Sequence, residues 1–292
     1  MPEPWVIVGV PIDSVGRSGG TELAPAALRE RDLPSRLGAE DRGDLDVRIR
    51  GDRRDPATGV IGIDGVVATT DAVRAAVRSI AMDGGRPLVL GGCCTLVPGA
   101  LAGLRDAGGA VAVAYVDGHV DVYDGRSSPT GEAADMPMSV AFGLGPDAWV
   151  QAAGGPSAAP AEVVVFGARD PEEARDIAAL RASELAAVEV LGPDELRAQG
   201  LANAAERAAQ RLGRRFFVHL DVDVLDERAM PATDYLMPGG LQWDELVELL
   251  EPLGRSPALA GLSLGCLNPE KDPDGRFTEM TCALLADALA AR

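Results

Sequence analysis

Two short acidic segments carry the residue types that bind divalent cations. They read YVDGHVDVY (115–123) and VHLDVDVLD (218–226), and each follows an apolar run. Together they place four aspartates and a histidine at alternate positions: Asp117, His119, Asp121, Asp221 and Asp223. In an extended strand successive side chains point to opposite faces, so these residues are predicted to share one face within each segment.

The chemistry that this pattern favours is metal binding. Buried carboxylates that lie together repel one another, and a divalent cation compensates the charge while accepting several oxygen ligands. Oxygen ligands with one nitrogen suit Mn²⁺ or Mg²⁺ better than a thiolate zinc site. A single D-x-D is typically a solvated turn or a helix cap. Two such segments, each after an apolar strand, favour a metal cluster instead.

The elements that must position these residues are strands separated by helices. Apolar runs predict strands at 5–11, 87–92, 111–117, 162–168, 186–192, 216–223 and 259–265, with a weaker one at 46–51. Helical periodicity covers 65–85, 171–183, 193–213 and 243–254, among other stretches. Runs of Val and Leu without polar alternation are typical of parallel strands buried on both faces. We therefore expect an α/β fold with a roughly eight-stranded parallel sheet, and a site beyond the carboxyl ends of its strands.

Domain organisation and cellular context follow from length and composition. The Gly-, Pro- and Ser-rich pieces at 51–65, 124–135 and 153–160 are interpreted as loops, so residues 1–292 are expected to form one domain. A net charge of −18 without a basic stripe argues against nucleic-acid and anionic-membrane partners. The chain shows neither a membrane-length apolar run nor a signal-peptide pattern, so a cytoplasmic protein is expected. Its four cysteines are expected to be reduced thiols.

Several motifs resemble the ureohydrolase family of arginase and agmatinase. The family's G-x-P, G-P-x-x-L-R and D-A-H-x-D are matched by GVP (9–11), APAALR (24–29) and DGHVD (117–121). Its D-x-D-x-x-D-P, P-A-T-G-T-P and G-G-L are matched by DVDVLD (221–226), PAT (231–233) and GGL (239–241). The resemblance extends over nearly the whole chain and implies a three-layer arginase-like fold.

The resemblance also implies a cofactor and a nucleophile. Family members hold two Mn²⁺ ions per chain, which share a bridging hydroxide that attacks the guanidinium carbon of a small-molecule substrate. By position, Asp117 and Asp221 would contact both ions. His119 and Asp223 would complete one site, and Asp121 would bind the other ion and hydrogen-bond the hydroxide. Family members are commonly trimers or hexamers, which leaves a homo-oligomer open for this chain.

Three departures from the family pattern concern the chemistry directly. Cys94 stands where the family has a histidine ligand of the first metal, so that site is expected to be weak or to select another metal. Ala134 replaces the histidine that shuttles a proton to the leaving amine. Cys266 replaces the acidic residue that clamps the guanidinium. Cys94 could instead be a small buried residue, and Cys266 could be either a space-filling or a catalytic thiol.

Other positions bear on the substrate. The residues expected to contact it are Tyr123, Thr130, Glu172, Glu173, Asp234 and Tyr235. The first two occupy positions that contact the amino-acid end of arginine in arginase, and the last two stand where the family has G-T-P. The two glutamates could receive a substrate ammonium, or they could simply be exposed at the start of a helix.

His219 is the only histidine outside the D-x-H-x-D loop. It is predicted to share a strand face with Asp221 and Asp223, two residues before the first of them. It could support the catalytic cluster as an outer-shell partner or as a nitrogen ligand that compensates for Cys94. A satisfied core histidine is the alternative.

The resulting hypothesis is a manganese-dependent hydrolase of a C–N bond in a guanidine, hydroxyguanidine or amidine. A substrate less basic than arginine would need neither the clamp nor as strong a proton donor. The chain resembles the hydroxyarginine hydrolases of D-cycloserine biosynthesis, which implies a role in secondary metabolism, for example conversion of Nω-hydroxyarginine to ornithine and hydroxyurea. The alternatives are a non-catalytic metal-binding relative and a metal enzyme of changed chemistry that uses Cys266.

Overall fold

Eight parallel strands form one sheet in the computed structural model, which describes residues 3–14, 19–169, 183, 185–213 and 215–290. The strands are β1 (Trp5–Val10), β2 (Glu40–Asp44), β3 (Arg86–Gly91), β4 (Ala112–Val116), β5 (Val163–Phe166), β6 (Glu189–Leu191), β7 (Phe216–Asp221) and β8 (Leu259–Gly265). Their order across the sheet is β2-β1-β3-β8-β7-β4-β5-β6. The predicted parallel α/β sheet is confirmed.

Helices cover both faces of the sheet and complete a three-layer fold. In the described part of the chain they are α1 (Ala24–Glu30), α2 (Leu33–Leu37), α3 (Ile63–Met82), α4 (Val97–Gly108), α5 (Pro137–Ala141), α6 (Asp147–Ala152), α7 (Pro193–Gln199), α8 (Leu201–Leu212), α9 (Trp243–Gly254) and α10 (Arg276–Leu289). In the layers, α3 packs against α4, and α9 packs against both α8 and α10. Most of the helix predicted at 171–183 lies outside the described residues. None of the helices described is long and apolar enough to cross a membrane.

The strand interiors follow from their apolar composition. Every residue of β1, β4 and β7 is buried, as expected for strands covered by helices on both faces. The prediction of a strand at 46–51 is wrong, because these residues form no strand. The edge strand β2 is instead the mostly exposed segment just before them. Val47 and Ile49 are buried without belonging to a strand, so their alternation marks packing and not strand pairing.

Each acidic segment begins in its strand and continues as a loop. β4 ends at Val116, and a 3₁₀ turn over Val222–Val224 follows β7. The Asp117 carboxylate accepts the backbone N–H of His119 at 2.7 Å, and the Asp221 carboxylate accepts that of Asp223 at 2.8 Å. Such side-chain turns compete with strand pairing. The predicted sharing of a strand face holds for His219 and Asp221, which are alternate residues of β7. It is wrong beyond the strand ends, although the side chains there still converge.

Candidate metal centre and its pocket

Four neighbouring strands end at the candidate site. β3, β8, β7 and β4 are adjacent in the sheet, and because they are parallel their carboxyl ends meet at one edge. The residues at or just after these ends are Cys94, Cys266, Asp221 and Asp117, and all four are buried. The sheet order thus brings together residues that are far apart in the sequence.

The first group of possible ligands surrounds the Cys94 thiol. Its Sγ lies 2.8 Å from Oδ2 of Asp221, 3.8 Å from Oδ2 of Asp117 and 3.7 Å from Sγ of Cys266. One potential ligand atom from each of four buried residues lies within 4.8 Å of the others: Cys94, Asp117, His219 and Asp221. Burial lowers the pKa of His219 to about 3, so its imidazole is neutral.

The second group shares Asp117 with the first. His119 Nδ1 lies 3.4 Å from Oδ1 of Asp117 and 3.1 Å from Oδ2 of Asp223, and the three residues form a set with the same spacing. The backbone N–H of Gly118 donates to the other oxygen of Asp223 at 3.0 Å, which joins the two acidic loops. The two groups therefore meet at one carboxylate.

The positively charged groups around the cluster do not fully offset its negative charge. Burial, and then the Asp223 carboxylate, raises the pKa of Asp117 to about 6 and that of Asp221 well above its usual value. Burial alone would raise the pKa of Asp223, but His119, the Gly118 N–H and Arg169 together lower the pKa of that carboxyl below its usual value. Burial alone would lower the pKa of His119, but the Asp223 and Asp117 carboxylates together raise it well above its usual value. Buried carboxylates with raised pKa values, combined with nitrogen and sulfur donors, fit a divalent cation.

Asp121 is held by a residue that the sequence analysis did not single out. Its carboxylate is buried and accepts a 2.5 Å hydrogen bond from the Tyr115 hydroxyl, which is also buried. Burial, and then the Asp121 charge, raises the pKa of this phenol well above its usual value, so it remains a donor. The available signal was a polar-tipped aromatic residue in a buried strand two positions before the first metal motif.

Arg169 is a second residue whose part in the site the sequence did not reveal. Its guanidinium donates to the carbonyls of Asp223 and Leu225 at 2.9 Å, and to those of Val224, Met237 and Pro238 at 3.1–3.3 Å. Burial lowers its pKa, although the nearby Asp223 carboxylate opposes this. The hydrogen bonds of Arg169 therefore link the loop after β7 to residues 237–238.

A cavity of about 200 Å³ opens above both ligand groups. Its lining consists of Cys94, His119, Asp121, Tyr123, Pro129, Thr130, Ala134, Asp135, Asp221, Asp223, Tyr235 and Cys266. His219 lies beneath this floor, within β7. Three of the predicted substrate contacts, Tyr123, Thr130 and Tyr235, are thus on the pocket wall.

The other predicted substrate contacts are placed differently. Asp234 forms an ion pair with Lys271 at 2.7 Å and accepts from Asn268 at 2.7 Å, and it is not among the described residues that line the cavity. Glu172 and Glu173 lie outside the described residues. On the wall itself, the sequence analysis missed Asp135, which accepts from Ser128 and Thr130.

A half-buried carboxylate also lies behind the wall. Glu132 accepts hydrogen bonds from the Tyr235 hydroxyl and, at 3.1 Å, from Ser14. Burial raises the pKa of both Glu132 and Asp135. The Tyr235 ring meets the His119 ring edge-on, with 5.8 Å between centroids. The wall is therefore acidic and connected to the metal-ligand region.

Comparisons with known proteins agree with this geometry. The Arginase family model matches residues 3–291. The chain is 26% identical to the arginase of Bacillus caldovelox, with 97% of each chain covered, and 27% identical to that of Brevibacillus brevis, with 96% of this chain and 95% of the relative covered. The native Bacillus caldovelox arginase structure superposes with a TM-score of 0.91 at 25% identity, covering 99% of both chains. Proclavaminate amidino hydrolase from Streptomyces clavuligerus shares the fold at 19% identity, with a TM-score of 0.73 over 98% of this chain and 92% of its own. The chain belongs to the arginase family, whose members are hydrolases that act on amidino groups.

Proposed function

We propose that this protein is a metal-dependent hydrolase that cleaves a C–N bond in an N-hydroxyguanidine, or another guanidine derivative of lowered basicity, carried by a small amino compound. The observation that carries the proposal is the carboxylate of Asp117, which belongs to two ligand groups. Their other members Cys94, Asp221, His119 and Asp223 line one pocket. Two adjoining groups that share a buried carboxylate are the arrangement that a binuclear metal centre requires.

The residues that would hold the cations follow from the family positions. Asp117 and Asp221 would contact both ions, His119 and Asp223 would complete one site, and Cys94 would contribute to the other. The family pattern also assigns Asp121 to that other site, but Asp121 lies outside both ligand groups. The oxygen and nitrogen donors of the His119 site suit Mn²⁺. When bound, the cations would lower the pKa of water and so supply a nucleophile at neutral pH.

The chain's own residues would orient the reactants and handle protons. The Tyr115 hydroxyl fixes Asp121 at the edge of the pocket, where this carboxylate would hydrogen-bond the attacking water. Ala134 offers no proton to the leaving amine.

The distribution of charge in the pocket favours a substrate with a reacting group of lowered basicity. The floor near β3 and β8 carries the thiols of Cys94 and Cys266 in place of a further carboxylate. Contact with Cys94 lowers the pKa of Cys266, but burial and the Asp221 charge raise it well above its usual value. This thiol is therefore neutral, which disfavours a nucleophilic role for it. The Asp135 carboxylate on the wall, with Glu132 behind it, fits the ammonium group at the other end of the substrate.

Metal loading followed by a substrate panel tests the function. After incubation with Mn²⁺ and desalting, we expect the wild-type protein to retain metal and to release urea or hydroxyurea from guanidines and N-hydroxyguanidines, with the N-hydroxyguanidines preferred. The matched variant His119→Asn should retain less metal and lose turnover. Elemental analysis and a colorimetric product assay provide the measurements. A wild-type protein that retains no metal, or a loaded one that turns over no member of the panel, would contradict the proposal and favour a non-catalytic relative.

Asp135→Asn is expected to weaken substrate binding without loss of metal. Removing the charge on the wall should raise KM for an ammonium-bearing substrate by about 10- to 100-fold, the range for a hydrogen bond to a charged group. Steady-state kinetics and elemental analysis check both parts. Asp124→Asn is the matched control, because it removes a charge from the same loop while asparagine can still cap the turn that Asp124 forms with Arg126 and Ser127. Equal KM values for the two variants would exclude this role for Asp135.

A further inference from the structure

One buried polar atom in the site is left unexplained by the family's ligand set. The His219 side chain is fully buried, and its Nδ1 lies 2.7 Å from the Ser263 hydroxyl. Among the groups that the structure describes, its Nε2 has no hydrogen-bond partner. A buried ring nitrogen without a partner costs free energy unless something binds it.

The position of this imidazole is fixed by the sheet. His219 pairs in register with Tyr115 on β4 and with Ser263 on β8, so the three side chains lie in one row across the central strands. The Tyr115 and His219 rings are 4.8 Å apart between centroids. The Ser263 contact occupies Nδ1, which leaves Nε2 as the nitrogen available to a ligand. Hydrogen bonds of this kind orient the histidines that bind metals.

We propose that Nε2 of His219 is a ligand of the first metal ion, together with Sγ of Cys94 and the carboxylates of Asp117 and Asp221. This inference rests on the proposed function, because it assigns the donors of one of the two sites. The potential ligand atoms of all four residues already lie within 4.8 Å of one another. Asp121, which the family positions assign to this ion, is held by Tyr115 instead.

The proposed donor set changes the metal that this site would prefer. One thiolate, one imidazole and two carboxylates form a four-donor site of borderline softness, which suits Zn²⁺ or Co²⁺ better than Mn²⁺. The site of His119, Asp117 and Asp223 offers only oxygen and nitrogen donors and suits Mn²⁺. The protein would therefore hold two different cations, with the softer one nearer β3 and β8.

Cobalt titration of the metal-free protein tests the assignment without any substrate. We expect two Co²⁺ per chain in the wild type, with a near-ultraviolet sulfur-to-cobalt charge-transfer band from Cys94. His219→Asn should bind one Co²⁺ fewer, or bind it at least about 10-fold more weakly, and the charge-transfer band should weaken in parallel. The matched variant His119→Asn should lose the other ion and keep the band. An unchanged stoichiometry and spectrum in His219→Asn would overturn the proposal.

A second measurement does not depend on the folding of a buried variant. X-ray absorption of the wild-type protein loaded with cobalt at both sites should show one imidazole per metal on average. A value of half an imidazole per metal would mean that only His119 binds and would overturn the proposal. Failure of the proposed function is distinguishable from either result, since it would appear as a protein that binds both ions through both histidines but hydrolyses no guanidine-type substrate.

Discussion

Asp221→Asn is expected to stabilise the metal-free protein while removing most of the stabilisation that metal provides. The Asp221 carboxyl is buried, and burial followed by Asp223 and Asp117 raises its pKa well above the usual value. A neutral amide of the same shape can still accept the backbone N–H of Asp223 and removes a repelling charge. We expect a gain of about 1 to 3 kcal/mol in the free energy of unfolding of the metal-free protein at pH 8.

The pH dependence of this gain has a definite sign. The folded-state pKa of Asp221 is raised, so this carboxyl destabilises the folded protein at pH values where it is ionised in the unfolded chain. The destabilisation is absent below the unfolded-state pKa of about 4 and grows as the pH rises toward the folded-state pKa. The gain should therefore vanish near pH 4 and reach its full size at alkaline pH. Urea denaturation of both proteins across this range, in the presence of a chelator, provides the measurement.

Metal should reverse the ranking of the two proteins. A cation at a free concentration about 100-fold above its Kd stabilises a binding protein by about 2.7 kcal/mol, and the variant should lose most of this gain. Turnover should fall by at least about 100-fold, because the ligand proposed to contact both ions is gone.

Asp226→Asn is the control. Backbone hydrogen bonds from Arg228 and Gly239 lower the pKa of Asp226, so its neutralisation should slightly destabilise the protein with or without metal. A metal-free Asp221→Asn protein less stable than the wild type would contradict this account of the cluster.

Arg169→Met is expected to be among the most destabilising single substitutions in the chain. The guanidinium donates to five backbone carbonyls, so its removal leaves several partly buried acceptors without a donor. Leaving buried groups unsatisfied in this way should lower the free energy of unfolding by about 3 to 5 kcal/mol. Chemical denaturation measures the loss, and elemental analysis should show weaker metal retention because Asp223 is in the loop that Arg169 fastens.

Two further variants separate geometry from charge. Arg169→Lys keeps the positive charge but cannot reproduce the planar fork of donors, so it should recover only a small part of the lost stability. Arg197→Met removes a more exposed guanidinium that pairs with Glu245 and contacts the Gly240 carbonyl, and it should cost about 1 kcal/mol or less. Full recovery by lysine would mean that the charge of Arg169, and not its hydrogen bonds, holds the loop.

The sequence could predict the sheet because its strands are buried on both faces and so are continuously apolar. It failed at β2, where an exposed edge strand carries no such signal and the buried Val47 and Ile49 belong to no strand. It placed the acidic segments at the correct strand ends, but it could not foresee that Asp117 and Asp221 would cap turns within them. Local hydrogen bonding by aspartate competes with the strand, and a pattern of alternating residues does not reveal which one prevails.

Long-range partners explain the residues that the sequence analysis missed. Arg169 acts on carbonyls more than 50 positions away in the chain, and Ser263 meets His219 only because β8 pairs with β7. Neither residue belongs to a recognisable motif. Asp234 shows the converse, because its position next to Tyr235 suggested the substrate pocket while Lys271 and Asn268 draw its carboxylate elsewhere. Such pairings depend on the folded topology and not on spacing along the chain.

The pocket has a floor made by central strands and a wall made by loops, and this division bears on how the protein could evolve. The ligand residues at the ends of β4 and β7 are buried beside one another, so changes there would alter the proposed metal centre. Tyr123, Thr130 and Asp135 belong to the connection between β4 and α5, where replacements leave the sheet intact. New substrate preferences can therefore arise on the wall while selection for metal binding holds the floor constant.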